Sequence, residues 1–204
     1  MSQHASQSSY TEAATEYPQC VPTLVGDGVR LRAHHHGDIA RIVEQSSDPD
    51  AQRFIPLPHP YTADHARSFI DAMVSEGWVT GRRFEFAIDE VSPDGTARFA
   101  GNVGVWPRGD DRWEIGFVLH PDARGHGVMK RAADLALDWI FMDKGAQVVL
   151  WCADAENEGS RAAAVRLGFT HQVVLPNWIL LNGVYRDLAE STMTRSAWEE
   201  LRRG

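Results

Sequence analysis

Residues 113–129 read WEIGFVLHPDARGHGVM, and the periodicity of the chain changes within them. From Trp113 to Leu119 the period is two, as in a strand. His120, Pro121, Asp122 and Ala123 lead out of it into Arg124, Gly125, His126 and Gly127. From Val128 the period is helical: Met129, Ala133, Ala136 and Ile140 share one face, and Lys130, Arg131, Asp134 and Asp138 the opposite one. Lys144 and Gly145 stop this helix with a basic last turn and a residue that tolerates the left-handed conformation. Gln147 to Cys152 is then an apolar run of strand length. Strand, crossover helix and strand predict a parallel pair. Two glycines flanking one residue, between a strand end and a helix start, let backbone amides turn outward and converge where the helix dipole favours negative charge. Such a turn suits phosphate.

Working outward, Phe84, Phe86 and Ile88, then Phe99 to Val105, share the period of two, with turn residues at Ser92 to Gly95 and at Pro107 to Asp111. With Trp113 to Leu119 they predict three antiparallel strands. Upstream, Val29 and Leu31 alternate with Arg30 and Arg32 as in a half-buried strand, and Asp38 can cap a short helix carrying Ile39, Ile42 and Val43. Pro56, Pro58 and Pro60 break any helix there, and Thr62 caps a second one with Ala66, Phe69, Ile70, Met73 and Val74 at helical spacing. Downstream, Asn157 to Leu167 reads as a short helix ended by Gly168. Asn182 and Gly183 form a hairpin turn, and a last helix lies around Trp198 and Leu201. This order predicts the α+β class, a mostly antiparallel sheet with helices against it. Residues 1–22 hold few large apolar residues and read as a mobile tail; residues 23–204 read as a single domain without internal repeats.

The 204 residues suit one hydrophobic core, and 43% hydrophobic with 24% charged residues excludes a largely disordered chain, a collagen-like fibre or a coiled coil. No apolar run approaches the roughly 18 to 20 residues of a membrane span. Met1 to Gln19 has neither the apolar centre of a secretory signal nor the arginines of a transit peptide. Cys20 and Cys152 are far apart and fit no metal or disulfide spacing. The expectation is a soluble, cytoplasmic protein. A net charge of −8 has the wrong sign for a partner of nucleic acid and favours a cationic one.

Several phosphate-binding turns share the logic of residues 124–129, and spacing separates them. A dinucleotide fingerprint from Gly125 needs Gly or Ala at its sixth position, where Lys130 stands, and a doubly wound sheet. No segment has the spacing of a P-loop. Arg124 to Met129 resembles the pyrophosphate loop of the Gcn5-related N-acetyltransferases (GNAT), in which Gln or Arg, two residues, Gly, one residue and Gly or Ala lead into a helix. Met129 departs from that pattern. Asn157, Ser160 and then Leu167, Gly168 and Phe169 are similar to the adenylate-side helix of the same superfamily. Asn182, Gly183, Tyr185 and Asp187 resemble its RimJ/RimL branch, which acetylates N-terminal amines of ribosomal proteins and, in relatives, small amines.

That resemblance, over roughly residues 22 to 200, implies the GNAT fold: a twisted, mostly antiparallel sheet whose central parallel strands splay, with helices on both faces. It implies acetyl-CoA as cosubstrate, no metal, and direct transfer to a primary amine. Amides of Gly125, His126, Gly127, Val128 and Met129 would hold the pyrophosphate, with Arg124 adding charge. Phe117, Val118 and Leu119 would pair with pantetheine and offer an amide to the thioester oxygen. Asn157 would bond the pantetheine arm, and Ser160 would protonate the sulfur. An α-amine, with a pKa of about 8, needs only modest help to lose its proton, and a lysine, at about 10.4, needs a real acceptor. RimJ/RimL-like enzymes often carry a glutamate three residues before the Asn-Gly turn; Ile179 stands there, so that role is not transferred. Glu114 is the first candidate base and His120 the second.

Other features read structurally. His34, His35 and His36 point in alternating directions with no carboxylate cluster, and are expected on a solvated face. The tryptophans are expected in the core and cleft, with Trp106 or Trp178 at the acceptor side. Cys152 is expected to pack, and the apolar Trp178 to Leu181 strand could pair across a homodimer. The acceptor is a peptide N-terminus or a small cationic amine. The alternatives are a CoA-binding module without catalysis and an acetyltransferase acting on an antibiotic or polyamine.

Overall fold

The computed structural model describes residues 16–203. Of the segment expected to be a mobile tail, residues 1–15 lie outside the described residues. Within residues 16–22, Tyr17, Cys20 and Val21 pack against the main core, and the Tyr17 hydroxyl donates to the His34 carbonyl. Strands β1 (Leu24–Gly26) and β2 (Val29–Arg32) form a hairpin over Asp27 and Gly28, both at positive φ. Helices α1 (Ile39–Ser47), α2 (Pro49–Phe54) and α3 (Ala63–Ser68) follow. A π turn at Phe69–Val74 joins α3 to α4 (Ser75–Thr80). Ala66, Ile70, Val74 and Trp78 form one apolar stripe at intervals of four, all of them buried. Such a stripe drifts by about 40° per step around an α-helix, and the wider π turn offsets that drift.

Strands β3 (Phe84–Val91), β4 (Ala97–Pro107) and β5 (Arg112–Leu119) form an antiparallel meander. Helix α5 (Val128–Met142) crosses to β6 (Val148–Asp154), which pairs parallel to β5. Helix α6 (Glu158–Leu167), the hairpin β7 (Val173–Leu181) and β8 (Val184–Thr194), and α7 (Arg195–Arg203) complete the chain. The eight strands lie in the order β1-β2-β3-β4-β5-β6-β8-β7, antiparallel except at β5/β6.

Strand alternation distributes side chains to two cores. Phe84, Phe86, Ile88, Val103, Val105, Trp113 and Ile115 face α5 and its Ala132, Ala133, Ala136 and Ile140. Ala87 and Phe99, on the opposite face, meet Ile42, Tyr61, Ala66 and Ile70. Helices therefore cover both faces, as the α+β reading expects.

Two local readings differ. Asp38 makes no side-chain cap to α1; its carboxylate takes a forked pair of hydrogen bonds from Arg32 at 2.8 Å each, because a buried acid beside a guanidinium is better satisfied there than at a cap. Helix α2, an element the sequence reading does not include, has Asp48 as its cap and Pro49 in its first turn.

The feature that positions the site is the ladder between β5 and β6. It runs from Arg112↔Val148 to Ile115↔Trp151 and stops, so Gly116–Leu119 and Cys152–Asp154 diverge. A bulge in the neighbouring ladder, between Ile88 and Asp89, lies beside this gap. Gly101 sits at that bulge, where a Cβ would stand 2.3 Å from the Val118 carbonyl oxygen; only glycine lets β4 approach so closely.

Candidate active site

The divergence of β5 and β6 opens a cleft of about 1720 Å³. Phe117, Val118 and Leu119 line it with a strand edge whose amides and carbonyls have no ladder partner on the β6 side. At its far end stands the turn into α5. Gly125 (φ 84°) and Gly127 (φ 72°) are both left-handed, and Gly127 caps the helix with no side chain. A Cβ at Gly125 would meet nothing within 4 Å, so the space before the turn is open to a ligand. Arg131 N–H reaches the Gly127 carbonyl at 3.2 Å, leaving the preceding amides of Val128, Met129 and Lys130 without helical acceptors. Met129, at the position where the loop pattern has a small residue, directs its bulk into the main core.

Two residues of this loop have side chains directed away from the turn. Arg124 is engaged by α2: its guanidinium bonds Asp48 at 2.7 Å and Asp50 at 3.1 Å, and it braces the cap of that helix from the cleft wall. His126 is exposed and absent from the lining, although its carbonyl accepts from Arg131 at 2.9 Å. Across the cleft, Asn157 caps α6 by accepting from the Ser160 amide at 3.0 Å. The Ser160 hydroxyl oxygen accepts from Trp151 Nε1 at 3.2 Å, which leaves its own proton free to donate.

The two candidate bases are both committed elsewhere. Glu114 is buried and outside the lining; one carboxylate oxygen takes the Arg108 guanidinium and the other the Cys152 thiol at 3.2 Å. Alternation from Trp113 and Ile115, which point into the core, puts Glu114 on the cleft side of the sheet, but two residues before the free edge begins at Gly116. His120 is held between Glu44 (3.0 Å) and Asp122 (2.8 Å) and does not line the cleft. Cys152 lines the cleft, and burial together with the Glu114 carboxylate pushes its thiol pKa up to about 12.

Among the described residues, five acids line the cleft, Asp50, Glu85, Asp154, Glu156 and Glu158; Glu85 of β3 is the one with Arg83, Asn102 and Trp106 beside it. Its carboxylate takes Arg83 Nε at 2.6 Å, and its carbonyl takes Trp78 Nε1 at 2.9 Å. Burial raises its pKa above the ordinary carboxylate value. The sequence signal was present: Phe84, Phe86 and Ile88 face the core, so Glu85 must face the other way. Asn102 is anchored from behind by His34, at 3.2 Å between Nε2 and Oδ1. His34 is buried under Phe69 and Phe99, contrary to the expected solvated face, while His35 and His36 are exposed. Burial lowers the His34 pKa to about 4, so the neutral ring donates its one proton to Asn102. Trp106 lines the cleft; Trp178 is 66% exposed and does not.

Among the described residues, no group of three His, Cys, Asp or Glu side chains is placed to hold a metal ion. Arg53, Lys130, Arg161 and Arg166 line the cleft together with the acids Asp50, Asp154, Glu156 and Glu158; Arg53 pairs with Glu156 at 2.8 Å and Lys130 with Asp134 at 2.6 Å.

A family model described as "Acetyltransferase (GNAT) domain" matches residues 29–170. YdaF of Bacillus subtilis (strain 168), whose name makes it a candidate ribosomal N-acetyltransferase, is 28% identical over 86 residues, 42% of this chain and 47% of that protein. The spermidine N(1)-acetyltransferase of Escherichia coli (strain K12) is 32% identical over 76 residues, 37% of this chain and 41% of that one. The matched region thus spans less than half the length of either relative. Mycobacterium smegmatis RimJ, solved with CoA-disulfide, superposes with a TM-score of 0.73 at 20% identity, covering 90% of this chain and 93% of that one.

Proposed function

Because this chain belongs to the GNAT acetyltransferase family, matched over residues 29–170, we propose that it transfers acetyl from acetyl-CoA directly to a primary amine. The acceptor is a protein N-terminal α-amine or a small-molecule amine, and the compartment is the cytoplasm. The observation that carries this reading is the glycine-flanked start of α5 at one end of the cleft formed where β5 and β6 part. Open space before Gly125 and unpartnered amides at Val128 to Lys130 fit a diphosphate. The free edge of Phe117 to Leu119 fits an amide-bearing arm laid beside it as an added strand.

Acetyl-CoA supplies the acyl group already activated as a thioester. The chain's share is positioning and proton handling. An edge amide of residues 117–119 polarises the acyl oxygen, and Asn157 orients the arm. Ser160, its oxygen held by Trp151, gives a proton to the departing sulfur. Cys152, kept as a thiol by burial and Glu114, does not compete as a nucleophile. We extend the proposal to a homodimer built on the exposed strand of Trp178 to Leu181.

Thiol release from acetyl-CoA against amines and peptide N-termini tests the reading, with calorimetric binding of coenzyme A to wild type and Gly125→Glu. A carboxylate at position 125 fills the open space with like charge, and binding should fall by about 100-fold or more. Unchanged affinity would overturn the loop assignment. Binding of acetyl-CoA without thiol release to any amine would favour a module that has lost catalysis.

A further inference from the structure

We propose that Glu85 and the face of Trp106 form the subsite for the acceptor's ammonium group, and that Arg83 occupies this subsite while no acceptor is bound. The inference rests on the acetyl-transfer reading and assigns the acceptor end of the same cleft to named residues.

Register places the subsite. Glu85 pairs with Gly104, and Gly104 with Gly116, in one row across three strands. The next position in that row, across the gap, is Cys152, because the last paired residues are Ile115 and Trp151. The two glycines make the row a floor. A Cβ at Gly104 would lie 2.3 to 2.6 Å from the Glu85 carboxyl atoms, so the acid lies flat across β4 toward β5. A Cβ at Gly116 would lie 2.9 Å from the rim of the Trp106 ring, so the indole covers β5 at the residue where its free edge begins. With strands about 4.8 Å apart, the carboxylate stands about one strand spacing from the gap.

The present occupant shows what the subsite takes. Arg83 bonds the Glu85 carboxylate at 2.6 Å and stacks on Trp106 at 4.6 Å from the ring centre. A buried carboxylate and an aromatic face are the two groups that recognise a cation stripped of water. Glu85 is held rigidly, its side chain 5% exposed and its carbonyl bonded to Trp78, whereas the Arg83 side chain is 40% exposed. The arginine is the member free to leave. A primary ammonium on a slender chain replaces it with the same two partners and, unlike guanidinium, can give up a proton at neutral pH.

Glu85 takes one proton from the ammonium and frees the nitrogen lone pair. The N–C bond forms as the C–S bond breaks. The second nitrogen proton is passed to sulfur through Ser160, which gives one proton and receives one, and Glu85 returns its proton to solvent. The net products are acetamide, free thiol and one proton. Burial, which raises the Glu85 pKa, lets the carboxylate hold the proton it accepts.

The test uses the full chain loaded with coenzyme A, so that amine binding is read without turnover. Spermidine and an alanine-led peptide are titrated by calorimetry at pH 8.5 into wild type, Glu85→Gln and Arg83→Ala. Glu85→Gln should weaken the amine about tenfold or more, and Arg83→Ala, by removing the competing cation, should tighten it severalfold. Opposite signs from the two halves of one ion pair are not produced by a merely structural bridge. In thiol release, Glu85→Gln should lower kcat/KM for the amine about 100-fold with KM for acetyl-CoA unchanged. Equal amine affinity in wild type and Glu85→Gln, absence of amine binding to the loaded wild type, or parallel losses in both variants would overturn the proposal. Failure of the wild type to bind coenzyme A would instead overturn the cofactor reading.

Discussion

A hydroxyl one helical turn past a cap is ordinarily a first-turn group, and Ser160 acquires a direction only through Trp151. The indole N–H fills one lone pair of its oxygen and leaves the hydroxyl proton available. Ser160→Ala should therefore slow thiol release about 10- to 1000-fold while leaving coenzyme A affinity within about twofold, as loss of a proton donor does. Equal turnover, measured by thiol release under saturating acetyl-CoA, would remove Ser160 from the mechanism. Glu114 shows the converse. Its type and strand position suit a base, but Arg108 and Cys152 occupy its oxygens, a fact carried by residues six before and 38 after it in the chain.

At the scale of elements, β7 is the strand left with an unpaired edge at its end of the sheet. Trp178 (66% exposed) and Leu180 (61%) belong to it, beside the exposed Val184 and Tyr185 of β8. The ladder shifts register between Leu175 and Ile179, where Pro176 and the left-handed Asn177 interrupt the edge. Proline and a bulge interrupt the strand at its middle, between the regular stretches Val173–Leu175 and Ile179–Leu181. Sedimentation equilibrium should show a dimer that Trp178→Lys with Leu180→Lys converts to a monomer. A monomer throughout for the wild type would remove the homodimer. The hairpin itself was legible from Asn182 and Gly183, both left-handed as a two-residue turn demands. Helix α2 was not, because six residues between prolines carry no period of their own and are held by Asp48, Arg124 and packing.

For the whole molecule, the deeply buried His34 ties pH to stability. Its pKa is about 4 in the fold, lowered by burial, against 6.5 when exposed. The unfolded chain therefore binds the extra proton between those values, and stability is full above pH 6.5 and falls as pH drops to about 4. The ceiling of this single contribution is about 3 kcal/mol. Denaturant unfolding across that window should show the loss, and His34→Gln, which keeps a donor for Asn102 without titrating, should flatten it. An identical slope in the variant would show that other groups carry the acid sensitivity. Asp122, its pKa held near 2 chiefly by the Arg41 hydrogen bond, acts only below the window, between 3.8 and about 2.

Periodicity and turn chemistry are local, and they sufficed for the three-strand meander, the parallel crossover, the glycine turn at residues 124–129 and the closing hairpin, but not for β1 or α2. Strands facing the core at Phe84, Phe86 and Ile88 also implied which side Glu85 must take. What local pattern could not supply was occupancy: which carboxylate already has a guanidinium, which histidine is sealed under phenylalanines, and which arginine braces a helix rather than a ligand. Those outcomes depend on groups brought together from distant parts of the chain, as Arg124 is with Asp48 and His120 with Glu44. Tertiary structure decided them because a buried charge or polar group must find its partner wherever the fold places one.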